Sequence, residues 1–315
     1  MARLRGVHAV NQSVVWVSGN NGTFGRTIDG GKTWRSSLVP EAEDLDFRDV
    51  HAFDADTAYL LSIGEGEKSR IYKTADGGLT WVLQFRNTNP AAFFDCFAFW
   101  DANSGVAFSD PVDGKFLIIR TTDAGATWNE VPRENIPAAL PGEAAFAASG
   151  TCVSVFGADH AWIGTGGSAS RVLRSTDRGR SWSAAATPIA GGSPSSGIYS
   201  IAFFNALDGA IVGGDYLKER ESGANFARTA DGGQTWIPGP SLPGYRSAVS
   251  YISREGRVGL LAVGPSGSDY LAPGANSWAS IDSAGYHATS FLPSLAAGWA
   301  VGESGSIAKW SETLP

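Results

Sequence analysis

An aspartate set between two hydroxyl residues at fixed spacing is the pattern in this chain most suggestive of chemistry. Thr27-Ile28-Asp29-Gly30-Gly31-Lys32-Thr33-Trp34 recurs as Thr74 to Trp81, Thr121 to Trp128, Ser175 to Trp182 and Thr229 to Trp236, with tryptophan spacings of 47, 47, 54 and 54. A carboxylate beside a hydroxyl can serve nucleophilic or acid–base catalysis. Equivalent copies spread along a repeat array cannot converge on one substrate, however, so Asp29, Asp76, Asp123, Asp177 and Asp231 read as structural. The box then has a turn chemistry. Its Asp accepts hydrogen bonds from backbone N–H groups, and its Gly supplies a positive φ. Its Trp (Trp34, Trp81, Trp128, Trp182, Trp236) wedges beside the neighbouring unit. A sixth, worn copy ends at Trp278 and carries Pro273 where the Asp would stand.

The elements around the boxes repeat as well. A short apolar run ending in a small residue precedes each box, as in Val15-Trp16-Val17-Ser18 and Tyr59-Leu60-Leu61-Ser62, and occurs seven times, the last at Trp299-Ala300-Val301-Gly302. About a dozen positions earlier each unit starts a further alternating segment. Each unit therefore reads strand A, strand B, strand C, box, strand D. Short strands repeated at this period predict an all-β fold, a seven-bladed β-propeller with four-stranded antiparallel blades, occupying 1–315 as one domain. Blade seven falls short. After Trp310 only Ser311 to Pro315 remain, and Met1 to Arg3 precede the first strand, so a closing strand cut away from this chain is the expectation.

Alternating strand direction puts the boxes and A–B loops on one face, the bottom, and the B–C loops, D–A loops and starts of strand A on the other. The candidate site is therefore the top rim. The starts of strand A form a ring of Arg5, Arg48, Phe94, Thr151, Tyr199, Arg246 and His287, in which three arginines can grip an anion. Asp95 follows Phe94, the B–C loops add Asp110, Asp215 and Tyr216, and the longest D–A connection holds Glu143. Long loops in a compact repeat are favoured places for function.

The boxes resemble those of Asp-box (BNR-type) propellers, a superfamily that includes sialidases, xyloglucanases and sortilin-type receptors. The wider unit Gly22 to Trp34 is similar to the bacterial relatives of the photosystem II stability and assembly factors, over essentially the whole chain. That resemblance implies a cofactor-free propeller, usually exported, that binds partner proteins and catalyses nothing. The alternative is a sialidase-like glycoside hydrolase at the channel mouth. Arg5, Arg48, Arg246 and Tyr199 with nearby acids supply its parts, but the Phe/Tyr-Arg-Ile-Pro motif is missing, since Tyr72 follows Arg70-Ile71.

Composition narrows the partners. With 31 acidic and 24 basic residues the net charge is −7, which argues against nucleic acid. No segment reaches the ~20 apolar residues of a membrane helix, and a monomer is expected. The N-terminus, Met1 to His8, has no apolar signal core, although the resemblance implies export. The histidines make no metal site. Cys96 and Cys152 fall at neighbouring positions on the innermost strands of blades three and four. Buried free thiols are expected there, with a disulfide the alternative if their Cα atoms come within ~7 Å.

Overall fold

The computed structural model describes residues 2–254, 257–292 and 297–310. Blade one is β1 (Leu4–Ala9), β2 (Val15–Gly19), β3 (Thr23–Thr27) and β4 (Arg35–Leu38); blade two is β5 (Asp46–Ala52), β6 (Ala58–Ile63), β7 (Arg70–Thr74) and β8 (Val82–Arg86). Blade three is β9 (Phe94–Phe99), β10 (Gly105–Val112), β11 (Lys115–Thr121) and β12 (Asn129–Glu130). Between blades three and four lies β13 (Glu143–Ala144). Blade four is β14 (Val153–Phe156), β15 (His160–Gly164), β17 (Arg171–Ser175) and β18 (Ser183–Ala186), with β16 (Gly166–Gly167) in its B–C loop. Blade five is β19 (Ser196–Phe203), β20 (Gly209–Asp215), β21 (Phe226–Thr229) and β22 (Ile237–Pro238); blade six is β23 (Ala248–Arg254), β24 (Arg257–Gly264), β25 (Gly267–Leu271) and β26 (Ala279–Asp282). Blade seven is β27 (Tyr286–Phe291), β28 (Gly298–Gly302) and β29 (Ile307–Lys309). All pairs are antiparallel, and strand order within each blade follows the chain.

Burial explains the sequence pattern. The second strand of each blade is covered on both faces, so β2, β6 and β28 are buried and read as unbroken apolar runs rather than alternations. Outer strands such as β4 face solvent. The core lies between blades. Tyr59, Leu61 and Ile71 of blade two, for example, pack on Phe94, Phe97 and Phe99 of blade three, each fully buried large side chain being worth about 1.5–3 kcal/mol.

The five boxes are built alike. In blade one the Thr27 hydroxyl donates to Asp29 Oδ1 (2.8 Å) and accepts from Gly31 N–H (2.9 Å), while Asp29 also accepts from Thr33 N–H (2.9 Å) and from the Thr33 hydroxyl (2.6 Å). Those donors hold the Asp29 carboxyl down at about 2, the Thr33 hydroxyl foremost. Gly31 has φ +88°, and the residue before it is also left-handed in every box, even where it is Ala124 or Arg178. The N–H of that preceding residue reaches an A–B loop carbonyl in each case, as in Gly30 to Ser13 and Gly77 to Asp56, so boxes and A–B loops share one face. The tryptophans wedge between blades. Trp81 stands edge-on, 5.0 Å from Phe24 of blade one, and Trp236 joins Trp162 of blade four. Blade six keeps the wedge without the Asp, with Trp278 5.0 Å from Phe226.

Blade seven has three described strands, and Ser311 to Pro315, where the question of a closing strand falls, lie outside the described residues. Its seam with blade one is closed by packing. Leu4, Val7, Val15 and Val17 meet Ala288, Leu292, Trp299 and Val301, and Lys309 Nζ donates to the Gly30 carbonyl (3.0 Å).

One expectation is corrected. Cys96 and Cys152 are not free thiols but a disulfide, with Cα atoms 6.1 Å apart and both residues fully buried. Strand parity left two orientations open. The two side chains face each other across the seam between blades three and four.

Candidate functional site

At the start of strand A, five blades carry a register shift in which one residue has no partner on strand B. The extra residues are Arg5 in β1, Arg48 in β5, Asp95 in β9, Tyr199 in β19 and His287 in β27. Such a bulge re-aims the unpaired side chain, here toward the channel mouth. Blades four and six lack the shift in β14 and β23. Thr151 accordingly turns to Ser149 and Ser200 (2.6 and 2.7 Å). Arg246, expected to help grip an anion, is instead buried against Asp269 (Nη2–Oδ2 2.5 Å, Nε–Oδ2 2.7 Å) and is committed there. Phe94, also placed on the rim by sequence, is fully buried between blades two and three.

A strap, residues 143–150, lies across the mouth. Its Ala145 N–H donates to Asp110 Oδ1 (2.7 Å) and its Ala147 carbonyl accepts from Arg48 Nη1 (2.9 Å). Asp95 is buried at the start of β9, its Oδ2 without a hydrogen-bond partner. Phe146 stacks on Tyr199 of blade five at 4.2 Å and 7°. Ser149 Oγ donates to the Ser247 carbonyl of blade six (2.8 Å). The strap also lends β13 to blade five, whose sheet becomes β13-β16-β19-β20-β21-β22.

The strap thereby withdraws three predicted rim acids from solvent. Asp95 and Asp110 are pushed above the usual carboxylate range by burial, and Asp95 further by Asp110. Glu143 is a buried ion pair rather than a rim group. Arg171 reaches it through Nε (2.9 Å) and Nη2 (2.5 Å), and Thr165 donates to it (2.6 Å). Asp215 caps the turn Tyr216–Lys218 by accepting from Leu217 N–H (3.0 Å).

Above the strap a cavity of about 390 Å³ remains, floored by Ala147 and Ala148 and lined by Arg5, Arg48, Phe146, Tyr199, Tyr216, Glu219, Tyr245, Pro265 and His287. Five of the residues predicted from sequence thus converge: Arg5, Arg48, Tyr199, Tyr216 and His287. Arg5 Nε is buried with no hydrogen-bond partner, and burial, then the Arg48 charge, pulls its guanidinium down to about 10. Arg48 is partly used by Asp46 (2.9 Å). Burial and the Arg5 charge pull His287 down to about 4; its Nε2 lies 2.8 Å from Glu303 Oε1, and an ionised carboxylate there requires the tautomer that donates from Nε2. Tyr199 donates to the Ser195 carbonyl (2.7 Å) and meets Tyr245 edge-on at 4.7 Å. Burial raises both phenols above their ordinary range. The site is therefore a cationic corner facing an aromatic wall, with Glu219 the one carboxylate among its lining residues. Tyr245 and Phe146 were missed by sequence. Tyr245 immediately precedes the unbulged Arg246, and a one-residue difference in register is enough to exchange them.

Fold and mouth together define a seven-bladed β-propeller with a polar, aromatic-walled cavity on its axis. Among solved structures, the chain is similar to YCF48 bound to D1 peptide (TM-score 0.62, 17% identity, covering 98% of this chain and 93% of that one). YCF48 from Cyanidioschyzon merolae gives TM-score 0.65 at 16% identity, over 98% and 95% of the two chains. The GH74 xyloglucanase from Xanthomonas campestris gives TM-score 0.63 at 17% identity, and this chain spans only 52% of its length. At such identities the likeness is one of fold. No protein-family model matches the chain, and no curated protein matches it in sequence.

Proposed function

We propose that this propeller is a non-enzymatic binding scaffold whose top-face cavity receives a carboxylate-bearing segment of a partner protein. The observation that carries the reading is the buried, unpartnered Arg5 Nε beside Arg48, opposite Tyr199, Tyr216 and Tyr245. An orphaned guanidinium nitrogen in a walled cavity is costly unless an acceptor arrives, and the aromatic wall offers area to an apolar neighbour of that acceptor. The five boxes support membership among Asp-box propellers of the assembly-factor kind, and the D1 peptide carried by a YCF48 structure supports a polypeptide ligand. The Cys96–Cys152 disulfide supports an oxidising compartment, in keeping with export. The sialidase-like alternative finds less support, because Arg246 of its arginine triad is buried against Asp269, Tyr199 donates to the Ser195 carbonyl, and Asp110 and Glu143 are engaged by the strap and Arg171.

Fluorescence anisotropy with short peptides ending in a free carboxylate or an amide tests this. The carboxylate series should bind at least tenfold more tightly, lose that advantage in Arg5→Ala plus Arg48→Ala, and weaken with salt. Equal binding of both series would overturn the proposal. Turnover of aryl glycosides or sialosides, abolished by Glu219→Gln, would replace it with the hydrolase.

A further inference from the structure

We propose that a groove on the bottom face, between blades five and six, binds a small planar aromatic molecule of the size of phenol or indole. The groove measures about 280 Å³, and Phe204, Asp208, Arg228, Tyr251, Leu260 and Pro273 are among its walls. That volume suits one or two rings rather than a drug-sized ligand. It opens among the A–B loops and the box positions, on the face opposite the Arg5–Arg48 cavity.

The groove follows from a ring that blade five omits. In blades one, two and seven an aromatic residue of strand B pairs with a cation of strand C, as Trp16↔Arg26, Tyr59↔Lys73 and Trp299↔Lys309. Each cation lies over its ring, at 5.2, 5.2 and 5.1 Å. Each also donates to a bottom-face carbonyl of the next blade, that of Ala55, Ala124 and Gly30 in turn. Blade five keeps the cation and drops the ring, for Arg228 pairs with Ala210. Among the described residues the exposed Arg228 guanidinium has no hydrogen bond or ion pair, and it reaches only the Phe226 ring, at 5.8 Å.

The facing blade is short of the same ring. Tyr251 holds in β23 the place that Phe203 holds in β19. Phe203 stacks on Trp162 of the preceding blade at 3.4 Å and 7°, whereas Tyr251 finds Ala210 there. Tyr251 meets Phe204 instead, 5.5 Å away and tilted by 41°, and Phe204 stays 44% exposed. Two rings so inclined leave most of their faces to another partner. A flat ring seated between that pair and Arg228 gains stacking on one side and a cation on the other. The Tyr251 hydroxyl, which has no hydrogen-bond partner among the described residues, and the Asp208 carboxylate can serve a ring hydroxyl or N–H.

The experiment is an NMR titration of the full chain with phenol, indole and cyclohexanol, the last being the saturated counterpart of phenol. The expected result is saturable one-to-one binding of both aromatic probes, with amide shifts at Gly209, Arg228 and Ala272. Phenol should bind at least about threefold more tightly than cyclohexanol. Arg228→Ala should weaken indole binding by about two- to fivefold, the worth of an exposed cation over a ring, and Arg228→Lys should recover most of it. Phe204→Ala, at an exposed loop position, should weaken it by a similar factor. Ala210→Trp supplies the omitted ring and should abolish binding; the two surface positions carry the test if that variant does not fold. Arg5→Ala plus Arg48→Ala should leave binding unchanged, which separates this site from the top-face reading. Absence of saturable binding, equal affinity for phenol and cyclohexanol, or shifts confined to the top face would overturn the proposal. So would a concentration-dependent dimer broken by Phe204→Ala, which would give the groove to a second copy of the chain.

Discussion

Glu143 has no exposed side-chain surface, while Arg171 reaches it through two nitrogens and remains 16% exposed. Removing one member of such a pair leaves the other charge buried without compensation, at a cost of about 3–5 kcal/mol. Glu143→Ala should therefore lower the unfolding free energy by about that much in urea titration, with Glu143→Gln losing less because it keeps an acceptor for Thr165. A change under about 1 kcal/mol would show that the strap refolds around the gap. Arg5 and Arg246 teach a related point. They occupy the same place in their repeats, yet the extra residue in β1 turns Arg5 to the cavity, while β23 has none and Arg246 turns to Asp269. Residue type was readable in the chain. The bulge was not, because it adds one unpaired residue with no fixed side-chain signature.

The boxes and strands were the legible elements. Each box repeats the same local hydrogen bonds, so its wording survives wherever the turn does, and the unbroken apolar runs follow from burial on both faces. The strap was legible only as length. Its path depends on partners from blades two to six, and the disulfide depends on the facing of two strands nearly a blade apart in sequence. That disulfide joins β9 to the residue ahead of β14, at a sequence separation of 56, and so spans the whole strap. Replacing Cys96 and Cys152 together by Ala should cost about 2–4 kcal/mol. It should also speed amide exchange at Ala145 and Ala147 ahead of the strands of blades one and seven. Uniform acceleration across all blades would mean that the bond stabilises the ring without holding the strap in particular.

The whole molecule carries a pH dependence set at its axis. His8 and His51 lie 4.4 Å apart on adjacent inner strands. Burial pulls His8 down to about 4 and His51 well below its ordinary value, with His8 adding to the latter; His287 is also held at about 4. A histidine lowered on folding binds its proton more readily when unfolded, so its contribution is lost as pH falls from about 6.5 toward about 4. Asp49, Asp95 and Asp110, raised by burial, act in the opposite sense, because their neutral forms are favoured by folding as pH falls. The box aspartates Asp29, Asp76 and Asp231, held at about 2, lose their contribution only below the ordinary carboxylate range. Urea midpoints at pH 7 and pH 5 for the wild type and His8→Gln separate these effects. The wild type should lose more stability on acidification than the variant, and parallel losses would remove His8 from the account.

The strap also has a mechanical meaning. It is tied to Arg48 of blade two, Asp110 of blade three, Thr165 and Arg171 of blade four, Tyr199 of blade five and Ser247 of blade six. Blades seven and one, by contrast, are joined at their seam by side-chain packing and a few polar contacts. Among the described residues the strap thus works as a brace riveted across five consecutive blades, two to six. Load across the ring would part blades one and seven, which the brace does not touch, before the five-blade arc that it holds together.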